Sequence, residues 1–387
     1  MNPRDVNQCW RHGPVLGSFN VSSADIELGV TMINETGHRS AVDAAFELDF
    51  DGRTPVNNFS NIVAAHSAGH QFKDVRNNAK ASAESSLRYA KLTHSDFVKP
   101  VIDSQAIFQD IGVKVTIPDD NYCRVSKPLA PTPEDVDALA VYDPFAAEEC
   151  PLFTDSYVAN LEGLSSILDE DFHVCGFSWG PLTMAGYIRG ADQLLMDSFL
   201  EPELADRMIS KVTRFTADIQ RKCIDCGATV MWMSDPTASQ DLISPDEYKR
   251  FELGPVAEVI RRVKDFADVP VMIHMCGETT DTMKLLPDIG VDCFSCDTAV
   301  DLAVAKANIG DRMALMGNVA PVNTLMQGTP EDVRRESYEC IEKAGLDGGF
   351  ILSSGCEIPR DTPDENTIAM GLAGSGFWKD RNRPNMG

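Results

Sequence analysis

Basic residues are scarce in this chain of 387 residues. There are 34 Lys and Arg against 59 Asp and Glu, a formal net charge of −25. Such a surface repels phosphate backbones and anionic membranes, so no nucleic-acid partner is expected. The acidity alone does no more than keep a protein soluble. Long apolar runs are missing too. None approaches the roughly 18 residues that a bilayer span requires, so no membrane segment is expected. The N-terminal MNPRDVNQCW has no basic stretch followed by an apolar one, so no secretory leader is expected. Eleven Cys in such a chain point to reduced thiols and a cytoplasmic location. An odd count also excludes complete pairing within one chain. There is no HExxH pair, EF-hand loop, P-loop or dinucleotide fingerprint. No short-period repeat or low-complexity tract interrupts the sequence.

What is present is a rhythm. From Asp171 onward, apolar extended runs alternate with amphipathic helical ones. FHVCGFSWG, TVMWMSD, VPVMIHMCG, VDCFSCD, RMALMGN and GFILSSGC read as strands. Between them, Leu204, Met208, Val212, Phe215, Ile219 and Cys223 share one face of a helix predicted from Pro202 to Cys226. Thr132-Pro133-Glu134-Asp135 and Thr329-Pro330-Glu331-Asp332 are helix starts, each with a capping Thr, a Pro in the first turn and acids for the dipole. Buried strands joined by helices form parallel sheets. Six or seven such units in succession favour an α/β fold closed as a (β/α)8 TIM barrel over an open sheet. The first half is less regular. Phe46–Phe50 alternates like a short strand, and 61–98 has helical spacing. The expected organisation is an N-terminal extension, 1–52, on a barrel spanning 53–387.

Functional side chains of such barrels lie at the C-terminal ends of the strands. Here those ends carry Trp179-Gly180, Ser234-Asp235, His274 and Cys276, Cys296-Asp297, Gly317-Asn318, and Gly355-Cys356-Glu357. His274 and Cys276 stand two apart on a strand, so they emerge on the same side. One imidazole and the thiols of Cys276 and Cys356 are ligands that zinc selects, and three protein ligands leave a fourth position open for chemistry. Asp297 is placed to fill or guard that position. The competing reading makes His274 a hydrogen-bonded barrel histidine and the cysteines core residues. Cys223/Cys226 and Cys293/Cys296 have CxxC spacing but fall at opposite ends of the barrel, which favours packing over a shared site. Asp235 either meets substrate or caps the next turn. Gly176, in the glycine-containing GFSWGP segment, and Trp179 are candidates for bringing the chain close to a flat ligand.

The motifs GFSWGPLTMAGY (176–187), SDPTASQDLISPDEYKRF (234–251), IHMCG (273–277), MGNVAPVNTL (316–325) and LSSGCEIPRDTPDEN (352–366) resemble the uroporphyrinogen decarboxylase superfamily. The similarity runs from Arg53 to the C-terminus and is greatest in the methylcobalamin:coenzyme M methyltransferase branch. That resemblance implies a TIM barrel with catalytic zinc on His274, Cys276 and Cys356, and an acidic residue near the metal at the place of Asp297. It further implies methyl transfer between a small thiol such as coenzyme M and methylcobalamin carried by a corrinoid partner protein. Gly176, Trp179, Asp235 and Asn318 then become candidates for lining the corrinoid-facing mouth. Open alternatives are a corrinoid-dependent demethylase of a methylated O, S or N compound, a tetrahydrofolate-linked methyltransferase, and a uroporphyrinogen decarboxylase. For the last, the arginine-rich N-terminal segment has no counterpart here, since Arg53 stands alone.

Overall fold

A computed structural model describes residues 37–58, 60–140, 143–168 and 171–381. Eight parallel strands form one sheet that curls into a barrel. In chain order they are β1 (Val56–Asn57), β2 (Phe97–Val98), β5 (His173–Trp179), β6 (Val230–Ser234), β7 (Val271–Met275), β8 (Cys293–Cys296), β9 (Ala314–Val319) and β10 (Phe350–Ser354). Around the sheet the order is β1-β10-β9-β8-β7-β6-β5-β2, so chain order and spatial order agree. The seam between β1 and β2 closes through Asp96, whose N–H donates to the Val56 carbonyl at 2.8 Å. The remaining two strands, β3 (Lys114–Thr116) and β4 (Arg124–Lys127), form a separate antiparallel hairpin. The (β/α)8 expectation is therefore borne out.

The long strands form where the sequence is continuously apolar, because each is buried on both faces: all five residues of β6, β7 and β10 are buried. Both helix starts are capping boxes, with Thr132 and Thr329 accepting from the N–H groups of Asp135 and Asp332. The helix predicted from Pro202 to Cys226 runs over Pro202–Asp225.

Several local expectations are corrected. Phe46–Phe50 is not a strand. The helix His38–Phe46 ends there, Glu47 N–H bonds back to Asp43 O at 3.0 Å, and Leu48 turns the chain with φ 61°. The helical stretch 61–98 is three helices, Ile62–Ser67, Phe72–Arg76 and Ala79–Leu92, followed by β2. The tract 281–290 forms two 3-10 turns, Thr282–Leu285 and Pro287–Ile289. Pro287 cannot donate the bond that a continuous helix needs.

Of the expected extension, residues 1–36 lie outside the described residues. The helix His38–Phe46 packs at the start of β5, where Asp43 accepts from His173 Nε2 at 2.9 Å. Beside it, Asp96 is fully buried and takes a two-pronged pair from Arg53 (2.8 and 2.5 Å), the His38 ring (2.7 Å) and the Val56 N–H (2.7 Å). Arg53 is thus committed at the N-terminal end of the strands, away from the mouth. Among the described residues, no helix is long and apolar enough to cross a membrane.

Candidate metal centre at the barrel mouth

β7 delivers His274 and Cys276 to the C-terminal end of the barrel on one side, as strand alternation requires. Cys356 follows β10, three strands further round the sheet. The distance from His274 Nε2 to Cys276 Sγ is 3.4 Å, and from Cys276 Sγ to Cys356 Sγ 3.7 Å. All three donor atoms lie within 4.8 Å of one another, the one such group of three or more found among the described residues. Two sulfurs and a nitrogen bound tetrahedrally to one zinc stand about 3.8 Å (S to S) and about 3.6 Å (S to N) apart, given bond lengths of about 2.3 and 2.05 Å. The 3.7 Å between the sulfurs and the 3.4 Å from Cys276 to His274 are close to those values.

The protonation pattern follows from the same closeness. Cys276 donates to Cys356, which with the His274 ring holds the Cys356 thiol well below its ordinary range despite burial. The negative sulfur of Cys356, together with burial, pushes the Cys276 thiol up. Burial alone would lower the His274 pKa, but the Cys356 thiolate more than offsets it and raises it. His274 is 1% exposed and pinned from behind. Its Nδ1 lies 3.1 Å from the Ser295 hydroxyl and 3.2 Å from the Ser295 carbonyl oxygen on β8. The Nδ1–H has its acceptors there, which leaves the Nε2 lone pair facing the two sulfurs.

The other expected residues divide. Trp179 lines the cavity that holds the three donors, its indole N–H donating to Ser104 O at 3.0 Å. Asp297 is half-buried beside the group and acts on His274 and Cys276 electrostatically, but it is not one of the converging donors. Its Oδ1 accepts from Thr298 Oγ1 and Ala299 N–H, both at 3.1 Å, and the short Asp side chain is spent on that turn.

Gly176 is not among the residues lining the cavity. A Cβ there would stand 2.6 Å from Met231 Sδ and 2.9 Å from Cys223 Cβ, so the glycine lets the helix Pro202–Asp225 close onto the sheet. Asp235, between the cavity-lining Ser234 and Pro236, does not itself line the cavity. It is 1% exposed, accepts from Thr183 N–H (2.9 Å) and Thr183 Oγ1 (2.5 Å), and abuts the fully buried Glu252; burial pushes both carboxyls up. Asn318 donates to the Asp297 and Val300 carbonyls (2.9 and 2.8 Å) and so braces the turn bearing Asp297. Cys223, Cys226, Cys293 and Cys296 are buried and form no donor cluster.

The cavity, about 130 Å³ and open to solvent, also contains residues that sequence reasoning passed over: Lys99, Asn61 and Glu357. Glu357 accepts from Asn61 N–H (3.2 Å) and from the Tyr122 hydroxyl. Burial raises the Glu357 pKa, partly offset by Lys99 and Tyr122, and burial lowers that of Lys99. Glu357 was visible beside Cys356 at a strand end. Lys99 and Asn61 follow two-residue strands, too short to show a period.

The sequence pattern of the family described as "Uroporphyrinogen decarboxylase (URO-D)" matches residues 52–373. A methylated-thiol--coenzyme M methyltransferase of Methanosarcina mazei is 31% identical over 189 residues, 49% of this chain and 49% of that protein. The methylcobamide:CoM methyltransferase MtbA of the same organism is 31% identical over 208 residues, 54% of this chain and 59% of that protein. The chain thus matches about half the length of these curated methyltransferases. A uroporphyrinogen decarboxylase of Crocosphaera subtropica is 28% identical over 76% of this chain and 82% of its own. Among solved structures, a methyltransferase from Methanosarcina mazei superposes with a TM-score of 0.78 at 22% identity, covering 89% of this chain and all of that one, and shows the same fold.

Proposed function

This chain belongs to the uroporphyrinogen decarboxylase family, and from that premise we propose that it is a zinc-dependent corrinoid methyltransferase. It would move a methyl group between a methylcobalamin-bearing partner protein and a small thiol such as coenzyme M. The observation that carries this reading is the convergence of His274, Cys276 and Cys356 inside the open cavity. Support also comes from the methyltransferase relatives.

His274, Cys276 and Cys356 would hold the metal, and Zn2+ bound there supplies a Lewis acid that makes a thiol nucleophilic at neutral pH. The thiolates of Cys276 and Cys356 would balance the charge of a divalent ion held there and so leave an incoming thiolate electron-rich. Ser295 keeps the imidazole lone pair on Nε2 aimed at the sulfurs. Trp179 and Phe177, packed edge to face with centroids 5.2 Å apart, give the cavity an apolar wall. In the overall reaction with a methylcobalamin substrate the sulfur would gain the methyl group, the cobalt–carbon electron pair would remain with the corrinoid, and the thiol proton would leave to solvent.

The decarboxylase alternative loses support from Arg53, the one arginine at the start of the similarity, which is consumed by Asp96. The deciding assay follows methyl transfer from free methylcobalamin to a panel of thiols, with methoxy-aromatics and tetrahydrofolate tested in the reverse direction. Turnover with a thiol that is lost on chelation and restored by zinc is expected. Equal turnover in Cys356→Ala would sink the proposal.

A further inference from the structure

At the mouth, the strands β10, β1 and β2 lie side by side around the seam, and the chain beyond each of them contributes to one carboxylate. Glu357 comes two residues after the ladder of β10 ends, where Gly355 N–H donates to Val319 O at 2.8 Å. Its Oε1 receives the N–H of Asn61, beyond β1, and the hydroxyl of Tyr122, in the turn of the β3–β4 hairpin. Lys99, one residue past β2, attracts it through space. The hairpin turn is itself fastened. Arg76 Nη2 donates to the carbonyls of Pro118 (3.0 Å) and Asn121 (2.7 Å), Arg360 reaches Asp120 O at 3.3 Å, and His66 Nε2 is 2.9 Å from Asp120 Oδ1.

Glu357 is not a member of the converging donor group. It is, however, the residue directly after Cys356, joined to that donor by a single peptide. The peptide between Cys356 and Glu357 therefore links the donor residue to the side chain that the rim holds. The Glu357 side chain is what ties that peptide to three other parts of the rim. We propose that Glu357 is a positioning residue for Cys356: the clamp formed by Asn61, Tyr122 and Lys99 fixes the peptide that presents the Cys356 sulfur to the metal site. This rests on the donor group being a metal site. The arrangement has the form of an outer support that orients a ligand without touching the ion.

The test uses the full-length chain, with zinc affinity measured by competition with a chromophoric chelator and thiolate-to-metal absorption measured after cobalt(II) loading. Glu357→Ala removes the clamp, Glu357→Gln keeps an acceptor for Asn61 and Tyr122, and Tyr122→Phe removes one donor from outside the barrel. Glu357→Ala is expected to bind zinc about 10- to 100-fold more weakly with a shifted cobalt band, and Glu357→Gln to recover most of that loss. Wild-type affinity and spectrum in Glu357→Ala would overturn the inference, and so would a Gln variant as weak as the Ala variant. If Glu357→Ala does not fold, Tyr122→Phe decides, weakened binding supporting the clamp and unchanged binding refuting it. A wild-type chain that takes up neither metal overturns the metal reading itself, a result distinct from a clamp variant that behaves like wild type.

Discussion

His274 on β7 lies between two serines of the neighbouring strands, in register with Ser234 on β6 and Ser295 on β8, and its Nδ1 turns to Ser295. Because the Ser295 carbonyl oxygen is a second acceptor at 3.2 Å, Ser295→Ala should preserve the tautomer and lose only part of its support. Zinc affinity is expected to fall by about tenfold, the low end for such outer partners, with the fold intact by circular dichroism. A loss as large as that of His274→Ala would mean that the hydroxyl, not the carbonyl, sets the ring.

Removing a donor should be more severe. Cys276→Ser and Cys356→Ala leave two of the three converging ligands. Both are expected to be purified with less than a tenth of wild-type zinc and to lose methyl transfer. The midpoint of thermal unfolding should move little, since both cysteines are only half-buried. Metal analysis alongside the methylcobalamin assay checks this.

Gly176 offers a contrast. Gly176→Ala places a methyl within 3 Å of Met231 and Cys223, an overpacking that costs about 1–3 kcal/mol. Denaturant unfolding should show that loss, while zinc content and the KM for thiol stay at wild-type values. A raised KM with unchanged stability would return Gly176 to the binding surface.

The Asp96 pair sets a pH dependence. Burial alone would raise its carboxyl, but Arg53 and His38 more than offset that and hold it below its ordinary 3.8. A depressed carboxylate stabilises the fold above its unfolded pKa, and that contribution is lost as the pH falls through the folded value. Asp96→Asn should therefore cost about 3–5 kcal/mol at pH 7, because it leaves a buried guanidinium without its partner. The gap from wild type should shrink in acid, once the wild-type carboxylate is itself protonated. Unfolding midpoints at pH 7 and pH 3 measure it. A gap independent of pH would refute the assignment.

Legibility in the sequence followed strand length and parity. β5 to β10 stood out because parallel strands buried on both faces leave unbroken apolar runs. β1 and β2, with two residues each, leave nothing periodic to see, and Lys99 and Asn61 went with them. A strand's end could be located, but the way its last side chains face could not. On β5, Phe177 and Trp179 face the cavity while Gly176 faces the helix Pro202–Asp225. At the end of β6, Ser234 lines the cavity and Asp235 is taken by Thr183. His274 and Cys276 could be paired correctly because both lie on one strand two residues apart. That Cys356 meets them across the mouth required the barrel to be closed.

The short seam has a consequence for motion. β1 contributes two residues to the ladder with β10, and β2 two to the ladder with β5, whereas β5 and β6 share five. Local opening costs least where the fewest bonds must break, so the amides of Val56 and Asp96 should exchange with solvent sooner than those of Trp232 and Ile273. The barrel's ladder is thus thinnest along the line between β1 and β2. At the top of that line the hydrogen bonds of Glu357 to Asn61 and Tyr122 stand in for the ladder that the two short strands lack.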